Sequence, residues 1–182
     1  KENPGSSPTT EKQCGYRTSS ETCLERDVVI KRTGQNTLYY LSAAGKRYVF
    51  PNVAAYKSWF RDYSNVFELT DAQLYDFPLA GNVTYRPGVK MVKIDTDPRV
   101  YAVALNGTLR WVVSESVATQ LYGADWNKKI DDVPDVFFSN YSFGPDIRSA
   151  NDFDPIAESD RAVTVNDDRK VSRSTNPRFS DT

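Results

Sequence analysis

The sequence contains no histidine in its 182 residues. Histidine is the usual general base near neutral pH, the usual partner of a catalytic Ser or Cys, and the commonest zinc ligand. Its absence excludes hydrolases built on Ser-His-Asp or Cys-His groups and removes the commonest kind of zinc site. Glycoside hydrolysis needs only two carboxylic acids, but no two acids here lie in an apolar context that would mark them as a pair. We expect a protein that is not an enzyme.

Cysteine is rare too: the chain has two, Cys14 and Cys23, both in "QCGYRTSSETCLERD". Free thiols and part of a metal site are alternatives, although a metal site would require more Cys or some His. The residues between the two cysteines are small and polar, which favours a short loop closed by a disulfide. A disulfide indicates an oxidising compartment, so we expect the chain outside the cell or at its surface.

Long apolar runs are missing, since no stretch approaches the roughly 20 residues of a membrane span. The charge is almost balanced, and a formal net charge of -1 gives no electrostatic reason to expect nucleic acid as a partner. Lys1 stands where a start Met would, as expected for a processed chain or for a segment of a longer one. The sequence therefore predicts neither a membrane span nor a nucleic-acid partner.

Aromatic residues are abundant, and many fall in two similar stretches, "GKRYVFPNVAAYKSWFRDYSNV" and "GTLRWVVSESVATQLYGADWNKKI". Each stretch follows an apolar run and a turn, with Gly45 in the first turn and Asn106-Gly107 in the second, which indicates two β-hairpins. Each hairpin leads into a helix whose start is marked by Pro51-Asn52 or by Ser114-Glu115. The pattern predicts two related units, each a β-hairpin followed by a helix.

These units define the predicted organisation of the core, residues 28–147. We expect an α+β domain in which two tandem repeats, residues 37–83 and 100–147, pack together, because one such unit is too small to bury its own apolar face. A further strand is expected between the repeats, at residues 89–94, where apolar residues alternate imperfectly with lysines.

The residues of the two units resemble a known kind of repeat. Tyr39 before "GKRY" and a Pro-led helix, and Tyr101 before "GTLRW" and a Ser-led helix, are similar to short repeats of secreted and cell-envelope, surface-layer-like proteins of poorly characterised bacteria. The resemblance covers residues 37–147. It implies a location outside the cytoplasm and a role in surface architecture or attachment, and it carries no catalytic residue over.

Two polar arms flank the core, at residues 1–27 and 148–182. Segments this polar order most readily by packing against other chains, so we expect a strand of one subunit to complete the sheet of another. The alternative is that the arms wrap their own domain. Candidate strand residues in or beside the arms are Val28, Val29, Ile30, Val163 and Val165, the last two in the alternating stretch "RAVTVND".

Three Asn-X-Ser/Thr sequons lie beside turn residues, where a secreted protein exposes glycan acceptors. They begin at Asn82, Asn106 and Asn140. Chance occurrence is the alternative explanation, because Asn, Ser and Thr are common in this sequence.

Acidic residues cluster at a few places that offer hard oxygen ligands of the kind calcium prefers. The candidates are Asp95, Asp97, Asp152, Asp154 and Glu158. None of these clusters has EF-hand spacing, and solvated acidic loops are the commoner explanation. Calcium is therefore the one candidate cofactor, and no other is expected.

The predicted function is that of an extracellular structural protein that self-assembles through its terminal arms into a filament or surface layer, so its expected partner is itself. The alternative is a monomeric module for cell-wall glycan binding or adhesion, which would use exposed aromatic side chains. Candidates for that surface are Tyr39, Tyr40, Trp59, Phe60, Trp111 and Trp126. Packing in the core is the competing explanation for the same residues.

Overall fold

The computed structural model of the chain describes residues 14–25, 27–94 and 96–171. Within these residues, twelve strands form three sheets, and six short α-helices pack around them. This mixture confirms the predicted α+β class. The outer parts of both predicted arms lie outside the described residues, and so does the calcium candidate Asp95.

A short hairpin precedes the core. Strand β1 (Tyr16–Arg17) pairs antiparallel with β2 (Cys23–Leu24). The hairpin brings Cys14 and Cys23 together, with their Cα atoms 5.4 Å apart, and the two residues form a disulfide. The predicted disulfide is therefore confirmed.

The first large sheet has five strands in the order β6-β3-β4-β5-β7. Its elements are β3 (Val29–Arg32), β4 (Leu38–Leu41), β5 (Arg47–Val49), α1 (Val53–Trp59), β6 (Val66–Leu69), α2 (Asp71–Tyr75) and β7 (Leu79–Asn82). The three central strands are antiparallel, and each outer strand pairs parallel with its neighbour. Parallel neighbours need a crossover, which α1 and α2 help to provide.

The second large sheet has five strands in the order β11-β8-β9-β10-β12. Its elements are β8 (Met91–Ile94), β9 (Asp97–Ala104), β10 (Thr108–Trp111), α3 (Glu115–Tyr122), a 3-10 turn (Trp126–Lys129), β11 (Ile130–Asp132), α4 (Asp135–Phe138) and β12 (Ser142–Phe143). The central strands are again antiparallel and the outer pairs parallel. The two sheets therefore share one strand order and one set of strand directions.

The units are larger than the sequence predicted. Strand β3 contains Val29 and Ile30, which the sequence analysis assigned to an arm strand that pairs with another subunit. Strand β8 lies within residues 89–94, which the sequence analysis placed as a strand between the two repeats. Each instead has a partner on both sides inside a sheet. The repeats predicted at residues 37–83 and 100–147 are not confirmed in that form, because each hairpin is one part of a five-stranded sheet. We call residues 29–82 the first unit and 91–147 the second unit.

Local sequence chemistry places the helix starts and one hairpin turn as predicted. The side chain of Asn52 accepts a first-turn N–H of α1 at 2.8 Å, and that of Ser114 accepts a first-turn N–H of α3 at 3.3 Å. In the β9–β10 turn, Asn106 and Gly107 have φ of 59° and 62°, a conformation that Asn and Gly tolerate better than other residues.

The two units pack on each other through a shared apolar cluster. Ala55 of α1 lies in this cluster beside Tyr101 of β9 and beside Tyr85 of the linker, which is residues 83–90 between the two units; all three residues are buried. The indole N–H of Trp59 donates to the carbonyl of Thr84 at 2.8 Å, which attaches the linker to α1. Continuous apolar contact of this kind makes the two units one packed body.

The segment of residues 148–171 folds back onto both units. It contains a 3-10 turn (Ala150–Asp152) and the helices α5 (Pro155–Arg161) and α6 (Val165–Arg169). The strand predicted for "RAVTVND" is therefore wrong. The side chain of Thr164 accepts the N–H of Asp167, and the Asp167 carboxylate accepts the N–H of Thr164, so this pair starts a helix.

Helix α6 is attached to the first unit by polar contacts. The side chain of Asn166 accepts the N–H of Ala43 at 2.9 Å and donates to Asp27 at 2.8 Å. The guanidinium of Arg169 lies 4.9 Å from the centre of the Tyr48 ring. As far as the structure describes it, the C-terminal segment therefore wraps its own domain, which is the alternative the sequence left open.

Candidate functional site

A groove crosses the surface of the second unit between the start of β9, the end of β10 and the start of α3. Its cavity volume is about 370 Å³. The lining residues are 98–100, 111–115, Ala118 and Trp126. We call this cavity the second-unit groove. Its lining includes two indole rings, those of Trp111 and Trp126, both partly buried.

Local structure brings the two tryptophans to one place. Trp111 ends β10 and pairs with Tyr101 of β9. Helix α3 ends at Gly123, whose φ of 87° is rare for residues with a side chain. The N–H of Trp126 then donates to the carbonyl of Gly123 at 3.1 Å. The chain thus reverses after α3, and Trp126 packs against the core of its own unit.

The groove has one cation and one anion among its lining side chains, Arg99 and Glu115, and both are exposed. The Arg99 guanidinium lies 2.6 Å from the Asp97 carboxylate and 5.7 Å from the centre of the Tyr101 ring. Hydrogen bonds from Arg99 lower the pKa of Asp97 to about 2. Asp97 therefore stays ionised and fixes Arg99 at the edge of the groove.

A groove in the first unit occupies the same place in the fold. It lies between the start of β4, the end of β5 and the start of α1, and residues 36–38 and 49–53 line it. These are the positions that residues 98–100 and 111–115 hold in the second unit. Its volume, about 390 Å³, is similar. We call it the first-unit groove.

The two grooves differ in their remaining wall. In the first-unit groove, that wall is formed by Asn82 and by Phe137. Phe137 belongs to α4, so the second unit supplies it, and next to it Asn82 donates to the side chain of Asn140 at 2.8 Å. In the second-unit groove the remaining wall is formed by Ala118 and Trp126, so all lining residues belong to the same unit.

The lining of the second-unit groove suits binding. Apolar and aromatic walls with a few polar groups are typical of sites that recognise ligands or other proteins. Glu115 is the one carboxylate among the lining residues. The paired acids of a glycosidase are therefore not brought together in this groove.

The disulfide loop lies against α2 of the first unit. The N–H of Ser19 donates to the Asp76 carboxylate at 2.7 Å, and the side-chain amide of Gln73 donates to Ser20 at 2.7 Å. The loop thus covers one side of α2, which is a structural role for the confirmed disulfide.

The three sequon asparagines have different surroundings. The side chains of Asn82 and Asn140 are bonded to each other between the two units. Asn106 is exposed in the β9–β10 turn. Its backbone N–H donates to Asp168 at 2.6 Å, so the turn is held by the backbone. Glycosylation stays a prediction, and Asn106 has the most accessible acceptor.

The calcium candidates that the structure describes are occupied by other contacts. Asp152 accepts backbone N–H groups at 2.8 and 2.9 Å, and Asp154 accepts two N–H groups in the first turn of α5. Glu158 accepts the N–H of Leu105 at 2.8 Å, and Asp97 holds an arginine. Among the described residues, no three acidic, Cys or His side chains are grouped as a metal site. Calcium stays a prediction without a described cluster of ligands.

The candidate assembly residues are mostly internal. Val28, Val29 and Ile30 are buried, and the last two lie in β3, an interior strand of the first large sheet. Val165 is buried at the start of α6, whereas Val163 is exposed between the last two helices. None of them lies in a free strand, so the described residues offer no strand of the predicted kind for donation to a neighbour.

Some of the aromatic residues predicted to stack on sugars lie in the core, and others line the second-unit groove. Tyr40 is buried, and its hydroxyl donates to Asp27 at 2.5 Å. Trp59 is bonded to the linker, and Phe60 packs in the core of the first unit. Of the candidates, the structure brings Trp111 and Trp126 together in one cavity.

Sequence reasoning missed a polar contact between the C-terminal segment and the β9–β10 turn. Glu158 of α5 accepts the N–H of Leu105, and Asp168 of α6 accepts the N–H of Asn106. Burial raises the pKa of Asp168 to about 6. The helix-start pair Asp154-Pro155 was the available signal that this segment is helical.

Comparisons with protein-family models, with curated proteins and with solved structures find no match for this chain. None of the helices in the described part of the chain is both long enough and apolar enough to cross a bilayer. The function must therefore be argued from the second-unit groove and its surroundings.

Proposed function

We propose that the protein is an extracellular structural module that attaches to a partner through the second-unit groove, and that it is not an enzyme. One observation carries this proposal. Trp111 and Trp126 line an open groove of about 370 Å³, whereas the corresponding groove of the first unit, about 390 Å³, has neither tryptophan and takes part of its wall, Phe137, from the second unit.

The composition of the groove favours attachment. Residues that dominate binding energy at interfaces are most often Trp, Tyr and Arg in partly buried, apolar surroundings. The groove combines two tryptophans with Arg99, and Pro98 and Val113 add apolar surface beside them. A preformed groove of this kind needs little reorganisation to bind, which favours affinity.

The disulfide supports the extracellular part of the proposal. Disulfides persist in oxidising compartments and are rare in the cytosol. The resemblance of the two units to surface-layer-like repeats points the same way. Exposure of Asn106 in a sequon is consistent with a secreted chain.

The surroundings of the titratable groups support a role without catalysis. Burial raises the pKa of Tyr40 and of Tyr85, and both side chains lie in the core. Asp168 is directed at a backbone N–H. These shifted groups are explained by packing, and the chain has no histidine to serve as a base near neutral pH.

Two partners suit the groove. One is another protein surface with apolar side chains, which would make the module a building block of a filament or layer. This moves the predicted self-assembly from the terminal arms to the groove. The other is a cell-wall glycan, favoured by the two indole faces of Trp111 and Trp126, which can stack on sugar rings.

Two groove variants test the proposal. Trp126→Ala removes one indole, and Glu115→Trp places a bulky ring at an exposed position of the lining. Retention of each variant is measured on two supports, insoluble cell-wall polysaccharide and immobilised wild-type protein. On one of the two supports it should fall at least about tenfold relative to the wild type, a loss of about 1.4 kcal/mol of binding free energy. Ile156→Ala, an exposed apolar residue of α5, serves as control. The proposal is wrong if neither support retains the wild type, or if both variants bind like the control.

A further inference from the structure

We infer that a pocket of the first unit, between α2 and the strands β3 to β5, binds an acidic sugar through its carboxylate group. We call this cavity, of about 260 Å³, the arginine pocket. Its lining includes two arginines, two tyrosines and two uncharged polar residues: Arg32, Arg47, Tyr39, Tyr75, Gln35 and Thr37. It shares no lining residue with the second-unit groove, so the inference goes beyond the proposed function.

The first arginine stands where the second unit has a leucine. Helix α1 is capped by Asn52 and helix α3 by Ser114. Counted back from these caps, Arg47 and Leu109 hold the same position. Leu109 is fully buried in the apolar cluster that the two units share. This position of the fold is therefore satisfied by an apolar side chain.

The second arginine stands where the second unit has an isoleucine. Arg32 is the last residue of β3, and Ile94 is the last residue of β8, the corresponding strand. Ile94 packs against the same apolar cluster as Leu109. The fold thus requires arginine at neither position, and the pair in the first unit is better explained by binding than by packing.

Arg47 has hydrogen-bonding capacity that the described residues do not use. Its Nη1 donates to the carbonyl of Leu74 at 2.5 Å. Its Nε is buried, and no described residue accepts a hydrogen bond from it. A buried donor without an acceptor is destabilising, and in native proteins it is commonly satisfied by water or by a bound ion. Nε and Nη2 form the fork with which arginine binds both oxygens of a carboxylate.

The charged residues that line the pocket, two arginines and one aspartate, leave one positive charge in excess. Arg32 donates to the Asp71 carboxylate at 2.7 Å. Arg47 forms no ion pair within the part of the chain that the structure describes. Its guanidinium lies 5.2 Å from the ring centre of Tyr39 and 5.9 Å from that of Tyr75. The rings hold the cation in place without neutralising it. One unpaired positive charge suits a carboxylate better than a phosphate, which carries nearly two negative charges.

The rim of the pocket adds groups that suit a sugar ring. Tyr75 is 77% exposed, and the contact with Arg47 keeps its ring beside the pocket. Gln35 and Thr37 are exposed too, and they offer an amide and a hydroxyl. An aromatic face can pack on the C–H face of a sugar, while the polar groups bind its hydroxyls. The ligand class that fits these groups is a uronic acid.

Titration followed by the side-chain N–H signals of arginine in nuclear magnetic resonance tests the inference. The probes are glucuronate, glucose and inorganic phosphate. The Nε–H signal of Arg47, assigned by its loss in Arg47→Leu, should shift when glucuronate is added to the wild type. Glucuronate should bind at least about tenfold more tightly than either of the other two probes.

Two variants introduce the residues of the second unit into the pocket. Arg47→Leu and Arg32→Ile should each lower the affinity for glucuronate at least about tenfold, because each removes a positive charge from the pocket. Arg61→Leu removes the same charge from an exposed position of the first unit and serves as the matched control. Near-ultraviolet circular dichroism shows whether the variants are folded, and Arg32→Ile decides the test if Arg47→Leu unfolds.

Four results would overturn the inference: no binding of glucuronate, equally tight binding of glucose or phosphate, folded pocket variants that bind like Arg61→Leu, or loss of binding in Trp126→Ala. The last result would place the sugar in the second-unit groove. The two proposals fail separately. A wild type that neither support of the groove test retains, but that binds glucuronate in an Arg47-dependent way, would overturn the proposed function and leave this inference intact.

Discussion

The side chains of Asn82 and Asn140 are hydrogen-bonded to each other at the junction of the two units, with Nδ2 of Asn82 donating to Oδ1 of Asn140 at 2.8 Å. The carbonyl of Asn82 also accepts a hydrogen bond from the guanidinium of Arg169 in α6. Both units and the C-terminal segment therefore meet at Asn82. Both asparagines begin sequons, so the fold already uses the side-chain amide that a glycan would modify on Asn82.

The first prediction concerns glycosylation of the folded chain. Treated with an oligosaccharyltransferase, the protein should accept a glycan at Asn106 and leave Asn82 and Asn140 unmodified, because only Asn106 has an exposed side chain away from the junction. Intact-mass and peptide mass spectrometry check the result. Asn106→Gln should abolish the modification. A glycan on Asn82 in folded protein would show that the junction opens.

The second prediction concerns pH. Burial raises the pKa of Asp168 to about 6, so the folded state holds this proton more tightly than the unfolded state does. The contribution of Asp168 to stability is therefore greatest below its unfolded pKa of about 4 and is lost as the pH rises through the folded pKa. Asp168→Asn keeps an acceptor oxygen for the N–H of Asn106 without the charge. It should raise the unfolding free energy at about pH 7 by roughly 2 kcal/mol and change it little at about pH 4.

Urea denaturation across this pH range checks the prediction. The carboxylate of Asp168 faces the turn at Asn106, with Arg169 and Glu158 as the neighbouring charges. Asp160→Asn removes the same charge from an exposed position of α5 and serves as the matched control. If the two variants give the same pH profile, Asp168 is not the source of the effect.

The third prediction compares two glycines with positive φ. A Cβ at Gly88 would lie 1.9 Å from the carbonyl oxygen of Pro155 in α5, whereas a Cβ at Gly123 would meet no atom within 4 Å. Gly123→Ala should cost only backbone strain, about 1–2 kcal/mol. Gly88→Ala should cost more, at least about 3 kcal/mol, because it also displaces the start of α5.

Urea denaturation and limited proteolysis separate these two costs. Residues 148–171 should become sensitive to protease in Gly88→Ala and stay resistant in Gly123→Ala. Equal losses in both variants, with no change in proteolysis, would mean that α5 does not pack against the turn at Gly88 as the structure shows it.

The fourth prediction concerns the disulfide. Cys14 and Cys23 are separated by 9 positions in the sequence, and closing a loop of this size is expected to stabilise the fold by about 2–3 kcal/mol. The double variant Cys14→Ser and Cys23→Ser should lose about that amount and still fold, since Tyr16 keeps its edge-to-face contact with Phe77. Urea denaturation should show that a reductant weakens the wild type and leaves the double variant unchanged. No effect of reductant on the wild type would contradict the prediction.

Local signals in the sequence were sufficient for part of this fold. The Asn106-Gly107 turn, the caps at Asn52 and Ser114 and the disulfide each depend on residues a few positions apart, and the structure contains all of them. Hydrogen bonding and backbone preference at these places hardly depend on the rest of the chain. For that reason the hairpins and helix starts were predictable.

Contacts between distant residues were not predictable in the same way. The triplet Val28, Val29, Ile30 favours a strand, but only pairing of β3 with β4 and β6 makes it an interior strand. "RAVTVND" alternates like a strand, and the cap at Thr164 makes it helical instead.

The candidate site was harder still to predict. Its walls come from β9, β10, α3 and the turn at Trp126. Packing in the core was the better explanation of Trp111 and Trp126 from the sequence, because side-chain type alone does not distinguish a core position from the wall of a groove. The comparison with the first-unit groove needed the position of Phe137, which is a contact between units.

Amide hydrogen exchange tests most directly whether the second-unit groove is the attachment surface. Exchange of the wild type is compared at a concentration where it is monomeric and at one where it associates. The account predicts slower exchange on association in residues 98–100 and 111–115, which line the second-unit groove. Protection confined to residues 148–171, or spread evenly over the chain, would contradict it.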